Sequence, residues 1–486
     1  MRAPVITRPG RPKPRSHVDP ELAEIAAFVA EGGAPGPAVW GHARRCFLDA
    51  VAGGLLALNR PACFKQLGGP PAPASGAGRA ARVLGTTHLI DLEKASHDTS
   101  LVVRWLDVDD GWLTVEQGHA ADAIGAILPA ADLASRRRAA AGEPGVPMRA
   151  LLLAIVDAHE IQRALCRNDF DRTEVHHLVL TRISATALSA HLLGATEEQV
   201  LNAVTHAWAD GQGTFAQRPE LDSATRMAQA AGDAASRASR AILRALRGEE
   251  VPALVRAAPR WGLYDVLCQS GRFRLERHPA TWAIEHVVPK LGVSAEYQAL
   301  TAAECAAALG PEVRARLAEV ERVEVFTHEP AIRHLSRPGP LGSPAERRRS
   351  LEYVVASALL RGEPGPGSYD DAAAADPRLE PLRARVRIAE DRRLTAEHFD
   401  PSRRALGNAL RVVFAGGGAT RRVGQDYPLG HVSRALEGEP ELERRFRGAL
   451  RSRYPSPAAE AIWERLAVPA DFESLEIHRF MDLLAR

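Results

Sequence analysis

Lysine is what this sequence has least of among the charged residues. In 486 residues carrying 62 Lys+Arg, the lysines are Lys13, Lys65, Lys94 and Lys290, and arginine supplies the remaining basic charge. A GC-rich coding bias explains that split, so one arginine says little and one lysine says more. An excess of either sign is also missing: 62 basic against 60 acidic residues leave a formal charge of +2. Dedicated nucleic-acid or membrane-surface proteins usually carry a basic excess, so neither partner is expected. Cysteine is scarce and scattered (Cys46, Cys63, Cys166, Cys268, Cys305), with no CxxC pair and no compact Cys/His cluster. That speaks against a disulfide framework or a structural zinc site and fits a reducing, cytoplasmic setting. No apolar run reaches the roughly 18 residues of a membrane span. The Arg/Pro-rich start, Met1 to Ser16, lacks the apolar stretch of a signal peptide, and residues 1–18 are expected to be a disordered tail. P-loop, Rossmann, GxSxG and HExxH motifs are all missing.

What is present is a globular pattern, 45% apolar and 25% charged, long enough for two or three domains. Residues 19–285 read as helical. Asp19-Pro20 is a helix start with proline at the first helical position. Met148 to Leu165 carries a broad apolar face, Thr196-Glu197-Glu198-Gln199 is a capping box, and Ala228 to Leu246 is rich in small residues. The texture changes near residue 286. Val320 to Phe326, Arg385 to Ile388 and Ala409 to Phe414 read as strands, the last followed by a Gly416-Gly417-Gly418 turn, and Ser343 is expected to cap one helix reaching about Leu360. Residues 286–432 are thus expected to form an α+β unit. Residues 433–486 read as helices that pack back on the first domain, giving a mainly α fold with an inserted α+β domain.

Five polar clusters could carry chemistry. Asp107, Asp109 and Asp110 crowd three carboxylates ahead of Gly111, with His119 shortly after. Such a set suits an imidazole acid/base oriented by a carboxylate, though it also reads as an acidic loop capping a helix. His176-His177 precedes an apolar helix, so one imidazole could face a cleft or both could sit at a solvated terminus. A Gly-rich stretch after Trp208 leads to Arg226 and Met227, and a guanidinium there could hold a carboxylate. Lys290 stands six residues before Glu296 at the expected domain junction, a favoured place for ligands. Its alternative fate is a solvated surface lysine. Thr327-His328-Glu329 follows a predicted strand and reads equally as a hydrogen-bonded strand end.

Taken in order, "RWLDVDDGWLTVEQGHAAD" (Arg104 to Asp122), "AHEIQ" (Ala158 to Gln162), "HHLVLTRISATALSAHLLG" (His176 to Gly194) and "NAVTHAWADGQ" (Asn202 to Gln212) resemble the MmgE/PrpD family. So do "THEPAIR" (Thr327 to Arg333), "GPLGSPAERR" (Gly339 to Arg348) and "YPLGH" (Tyr427 to His431). The closest likeness is to the branch that acts on 2-methylcitrate. The resemblance covers nearly the whole chain. It implies a helical domain made from both chain ends, an inserted lid, a homodimer, and lyase chemistry on a small di- or tricarboxylic acid without a cofactor or metal. Isomerase, epimerase or decarboxylase chemistry on the same scaffold, or carboxylate binding without catalysis, are the alternatives. It further implies that His119 and His177 are the acid/base pair and that Asp107 orients an imidazole. Lys290 and Arg226 would hold carboxylates, and Glu296 matches a glutamate typical of the 2-methylcitrate branch. Four departures accompany it. Gly111 stands where the family commonly has threonine, Ala120-Ala121 where it has Pro-Ser, Met227 where it has lysine and Gln298 where it has histidine. Methionine in place of lysine removes a cation from a site built for polyanions and offers an apolar wall, so an altered substrate is expected.

Overall fold

The computed structural model describes residues 18–68, 80–106, 111–113, 117–118, 120–165, 177–209, 224–252, 254–262, 265, 282–400 and 402–486. The Arg/Pro-rich tail lies outside the described residues but for residue 18. The first half is built on α1 (Pro20–Glu31), α2 (Pro37–Ala57), α3 (Pro61–Gln66), α4 (Leu92–Arg104), α5 (Ile124–Ala140) and α6 (Met148–Leu165). It continues with α7 (Leu178–Leu192), α8 (Glu197–Ala209) and α9 (Ala224–Leu246). The capping box at α8 is reciprocal: Gln199 N donates to Thr196 Oγ1 at 3.2 Å and Thr196 N donates to Gln199 Oε1 at 2.9 Å. At α1 the start is where Asp19-Pro20 puts it, but the Asp19 carboxylate does not cap its own helix. It accepts instead from the backbone amides of Val255, Arg256 and Ala257 at 2.8–2.9 Å. Three otherwise orphaned loop amides outweigh one helix-end donor.

Short strands that the apolar pattern does not announce punctuate these helices: β1 (Ala81–Arg82), β2 (Leu89–Ile90), β3 (Gly111–Leu113) and β4 (Gln117–Gly118). Strand β5 (Val287–Val288) pairs antiparallel with β3, placing Gly111 opposite Val288. This three-stranded sheet, ordered β4-β3-β5, ties the chain beyond α4 to the segment that leads to Lys290.

Next come α10 (Tyr297–Ala315), β6 (Val320–Thr327), α11 (Glu329–Leu335), α12 (Pro344–Arg348) and α13 (Leu351–Arg361). They are followed by α14 (Asp371–Ala374), α15 (Leu379–Arg383), β7 (Val386–Glu390), α16 (Arg392–Phe399), β8 (Asn408–Phe414) and β9 (Val423–Gln425). The sheet order is β7-β6-β8-β9, with β6 and β7 parallel and the other pairs antiparallel. Gly416 and Gly417 make the turn after β8 at φ +90° and +92°, a region where a side chain is strained. The single helix expected from Ser343 to about Leu360 is two. Ser343 caps α12 in a capping box, the chain turns at Arg349, and Ser350 caps α13 by accepting from Tyr353 N. Two serines seven residues apart each satisfy a helix N-terminus, and the turn between them aims Arg349 sideways.

The chain ends with α17 (Ala435–Arg453), α18 (Ser456–Ala467), α19 (Pro469–Ser474) and α20 (Ile477–Leu483). Apolar side chains collect mainly in two cores. One joins Leu22, Phe47, Ile155 and Ile183 from the first half to Phe446, Leu450, Phe472 and Phe480 from the last helices. The other gathers Val293, Leu300, Val323, Val354, Leu410 and Phe414 from the intervening segment. The fold is mainly α, as expected. Among the described residues no helix is long and apolar enough to cross a membrane.

Candidate functional site

A small pocket opens between α4, the 3-10 turn Ala120–Ala123, the start of α7 and the first turns of α9. Arg104, Asp122, His177, Leu178, Met227 and Ala230 line it. Arg104 is the last residue of α4 and Asp122 lies in the 3-10 turn ahead of α5. Both are buried, at 4% and 2% exposure. His177 is the residue immediately before α7. Its Nε2 lies 3.7 Å from Asp122 Oδ2, and Arg104 Nη1 lies 3.8 Å from Asp122 Oδ1. These separations are ion-pair range rather than hydrogen-bond range. The order is cation, buried carboxylate, imidazole, with the carboxylate placed to stabilise an imidazolium. An imidazole held in this way can take and return a proton.

Met227 forms another wall. It sits in the first turn of α9, half-buried, while its neighbour Arg226 is exposed and does not line the pocket. Arg349, from the turn between α12 and α13, reaches over it. Arg349 Nη2 is 3.6 Å from Met227 Sδ, and Nε donates to Glu296 Oε1 at 2.7 Å. Glu296 precedes α10 without capping it, so its carboxylate is directed to the guanidinium.

Tyr297, the next residue, is 1% exposed and its hydroxyl donates to Val288 O at 3.0 Å. It therefore lies across the β3–β5 pair, against Gly111. Lys290 is 1% exposed, with Nζ 4.8 Å from the centre of the Tyr297 ring, within cation–π range. It is a buried side chain, not a solvated surface lysine. Gln298 is buried at 7% exposure, and its main-chain carbonyl accepts from Asn408 Nδ2 at 2.9 Å.

Of the residues singled out in the sequence, His177 and Met227 share one pocket, and Arg349 joins Met227 to Glu296. Gly111 and Lys290 meet through Tyr297. Since Glu296 and Tyr297 are consecutive, one helix start links the two groups. Asp107 and His119 lie outside the described residues. Arg348 Nη1 donates at 2.7 Å to the carbonyl of Leu106, next to Asp107 in sequence. His328 does not join the site. Its Nδ1 accepts from Ala331 N at 3.3 Å, capping α11. Sequence reasoning missed Arg104, Arg349 and Tyr297 as site residues and did not pair Asp122 with His177. Arg349 is hidden by the abundance of arginine, and Asp122 is 55 positions from its imidazole. Among the described residues no group of three or more His, Cys, Asp or Glu could hold a metal.

Residues 23–276 match the MmgE/PrpD N-terminal domain and residues 293–468 match the MmgE/PrpD C-terminal domain. The chain belongs to the MmgE/PrpD family. It is 37% identical over 479 residues to the 2-methylcitrate dehydratase of Cupriavidus necator, covering 98% of both chains. It is 36% identical over 473 residues to that of Escherichia coli K12, covering 96% of this chain and 98% of the relative. The mitochondrial 2-methylcitrate dehydratase of Yarrowia lipolytica is 32% identical over 478 residues, 97% of this chain and 91% of the relative.

Proposed function

We propose that this chain is a hydro-lyase that removes water from a small di- or tricarboxylic acid by general acid/base chemistry, on a substrate changed from 2-methylcitrate. The observation that carries this reading is His177 set against the buried Asp122, in a pocket walled by Met227. Dehydration needs one group to remove a proton next to a carboxylate and another to protonate the departing hydroxyl. His177 and His119 fill those roles, and Asp107 orients an imidazole. Lys290, buried beside Tyr297, faces developing negative charge. Residues 286–432 act as a lid over the helical body of residues 19–285 and 433–486. The working form is a cytoplasmic homodimer that uses no cofactor. Met227 makes the wall beside the imidazole apolar, which supports a less anionic substrate than 2-methylcitrate.

The test is alkene absorbance. Purified protein is incubated with 2-methylcitrate, then with citrate-like acids in which one carboxylate is replaced by an alkyl group. Faster turnover of the alkylated acids, abolished in His177→Ala, is the expected result. Turnover fastest on 2-methylcitrate removes the substrate change and keeps the reaction. Alkene formation from none of these acids overturns the reading.

A further inference from the structure

The turn between α12 and α13 holds a guanidinium whose hydrogen-bonding capacity is only partly used by the described residues. Arg349 is 12% exposed as a side chain. Its Nε donates to Glu296 and its Nη2 meets the Met227 sulfur, a weak acceptor. Its Nη1 is buried and has no hydrogen-bond partner among the described residues. A guanidinium presents five N–H donors in a plane, and leaving charged donors unsatisfied in a buried place is costly. The Nη1/Nη2 edge is the fork that matches a carboxylate in bidentate fashion. Glu296 holds the Nε side and fixes the plane of the group. Met227, under Nη2, also lines the pocket that contains His177.

We propose that Arg349 is a substrate-binding residue that receives one carboxylate of the substrate on its Nη1/Nη2 edge. Arg349 thereby holds a carboxylate that the substrate retains, beside the apolar side chain of Met227. The inference rests on the carboxylic-acid reading above and deepens it. The anchor for that carboxylate then stands on the α12–α13 turn. That placement decides which end of an acid can be held near His177, and so makes Arg349 a determinant of specificity.

The experiment is calorimetric titration of the full-length chain with tricarballylate, a citrate-like acid without the hydroxyl, and with glutarate, which has one carboxylate fewer. Arg349→Met is expected to weaken tricarballylate at least tenfold and glutarate less than threefold. Adding Met227→Lys to that variant is expected to bring tricarballylate back to within threefold of wild type, because an ammonium then stands on α9 in the same place. A purely structural role for the Arg349–Glu296 pair would lower the melting temperature and would not be rescued by a lysine on another helix. Unchanged affinity in Arg349→Met, or a loss that Met227→Lys does not recover, overturns the proposal. Should Arg349→Met fail to fold, Arg349→Lys keeps a cation without the fork. A three- to tenfold loss is then expected, and no loss overturns the bidentate contact. Wild-type protein that binds neither acid overturns this inference together with the proposed function. Binding without turnover of any hydroxy acid removes only the proposed reaction.

Discussion

Tyr297 occupies the space that a side chain at Gly111 would need. A Cβ placed on Gly111 would lie 2.3 Å from Cε2 and Cζ of the Tyr297 ring and 2.5 Å from its hydroxyl. A rigid ring anchored to Val288 O cannot yield by a small rotation. Glycine at 111 and tyrosine at 297 are therefore one structural choice, and a larger side chain at 111 is incompatible with this ring position.

The first prediction follows from that pair. Gly111→Thr alone overpacks the β3–β5 junction and lowers stability by about 1–3 kcal/mol. Tyr297→Ala alone opens a cavity and costs about 3–5 kcal/mol, the range for truncating a large aromatic. In the double variant the threonine enters part of the vacated space, so the two losses sum to less than their separate values by about 1 kcal/mol or more. Urea unfolding of the four proteins measures the coupling. Simple additivity would mean the two side chains do not compete for one volume.

Asp122 lies beside His177, and the two are expected to behave as a unit. Asp122→Asn keeps the shape and removes the charge 3.7 Å from the imidazole. It is expected to lower kcat about tenfold or more while altering KM much less, the pattern of an interaction made in the transition state. His177→Ala is expected to lower kcat about a hundredfold or more, and the double variant should be no slower than His177→Ala. Independent multiplication of the two losses would show that Asp122 has a separate role.

Arg445 joins three parts of the chain. Its guanidinium pairs with the buried Asp49 of α2 at 2.9 Å and Nη1 donates to the carbonyl of Lys290 at 3.1 Å. Removing one partner of a buried pair strands a charge. Arg445→Met is therefore expected to cost about 3–5 kcal/mol of stability and, by loosening the Lys290 backbone, to raise KM for a carboxylic acid. Arg445→Met combined with Asp49→Leu should regain much of the stability and leave KM raised. Recovery of both would detach the Lys290 carbonyl contact from binding.

Much of the helical body is legible because its signals are local. The face of Met148 to Leu165 is a full helix of those bounds, and the Thr196 box begins α8 as written. The apolar run with Val320, Val323 and Val325 gives β6, which buries those valines together with Thr327. What fails to show is set by distant partners. Asp19 reads as a cap but is taken by amides more than 230 positions away. The run Arg347-Arg348-Arg349-Ser350 contains no helix breaker, yet the helix ends there because Ser350 caps the next one. Arg349 reaches the site only through that turn. Lys290 could be noticed for its rarity, but its burial, with Nζ over the Tyr297 ring, is set by tertiary packing.

The stacked pair His328 and His398 should shape the acid limb of stability. The two ring centres are 4.1 Å apart and the rings nearly parallel, at 6°. Burial first, then the nearby His398 and His334, pushes His328 down from 6.5 to about 3, and burial also lowers His398. His159, which is wholly inside α6, is lowered to about 4 by burial. These imidazoles are neutral in the fold and bind protons more readily once unfolded. Their contribution is whole above pH 6.5 and is lost progressively as pH falls toward 3. Asp132 works in the opposite sense: burial raises it to about 6, so its protonation favours the fold as pH falls from 6 to about 4. For His328 alone, the loss between pH 7 and 4.5 is roughly 2 kcal/mol. His328→Asn keeps an acceptor for the Ala331 amide and removes the titration. Its unfolding free energy in urea should therefore fall less steeply between those two pH values than that of the wild type. Equal slopes in the two proteins would show that this imidazole does not govern acid stability.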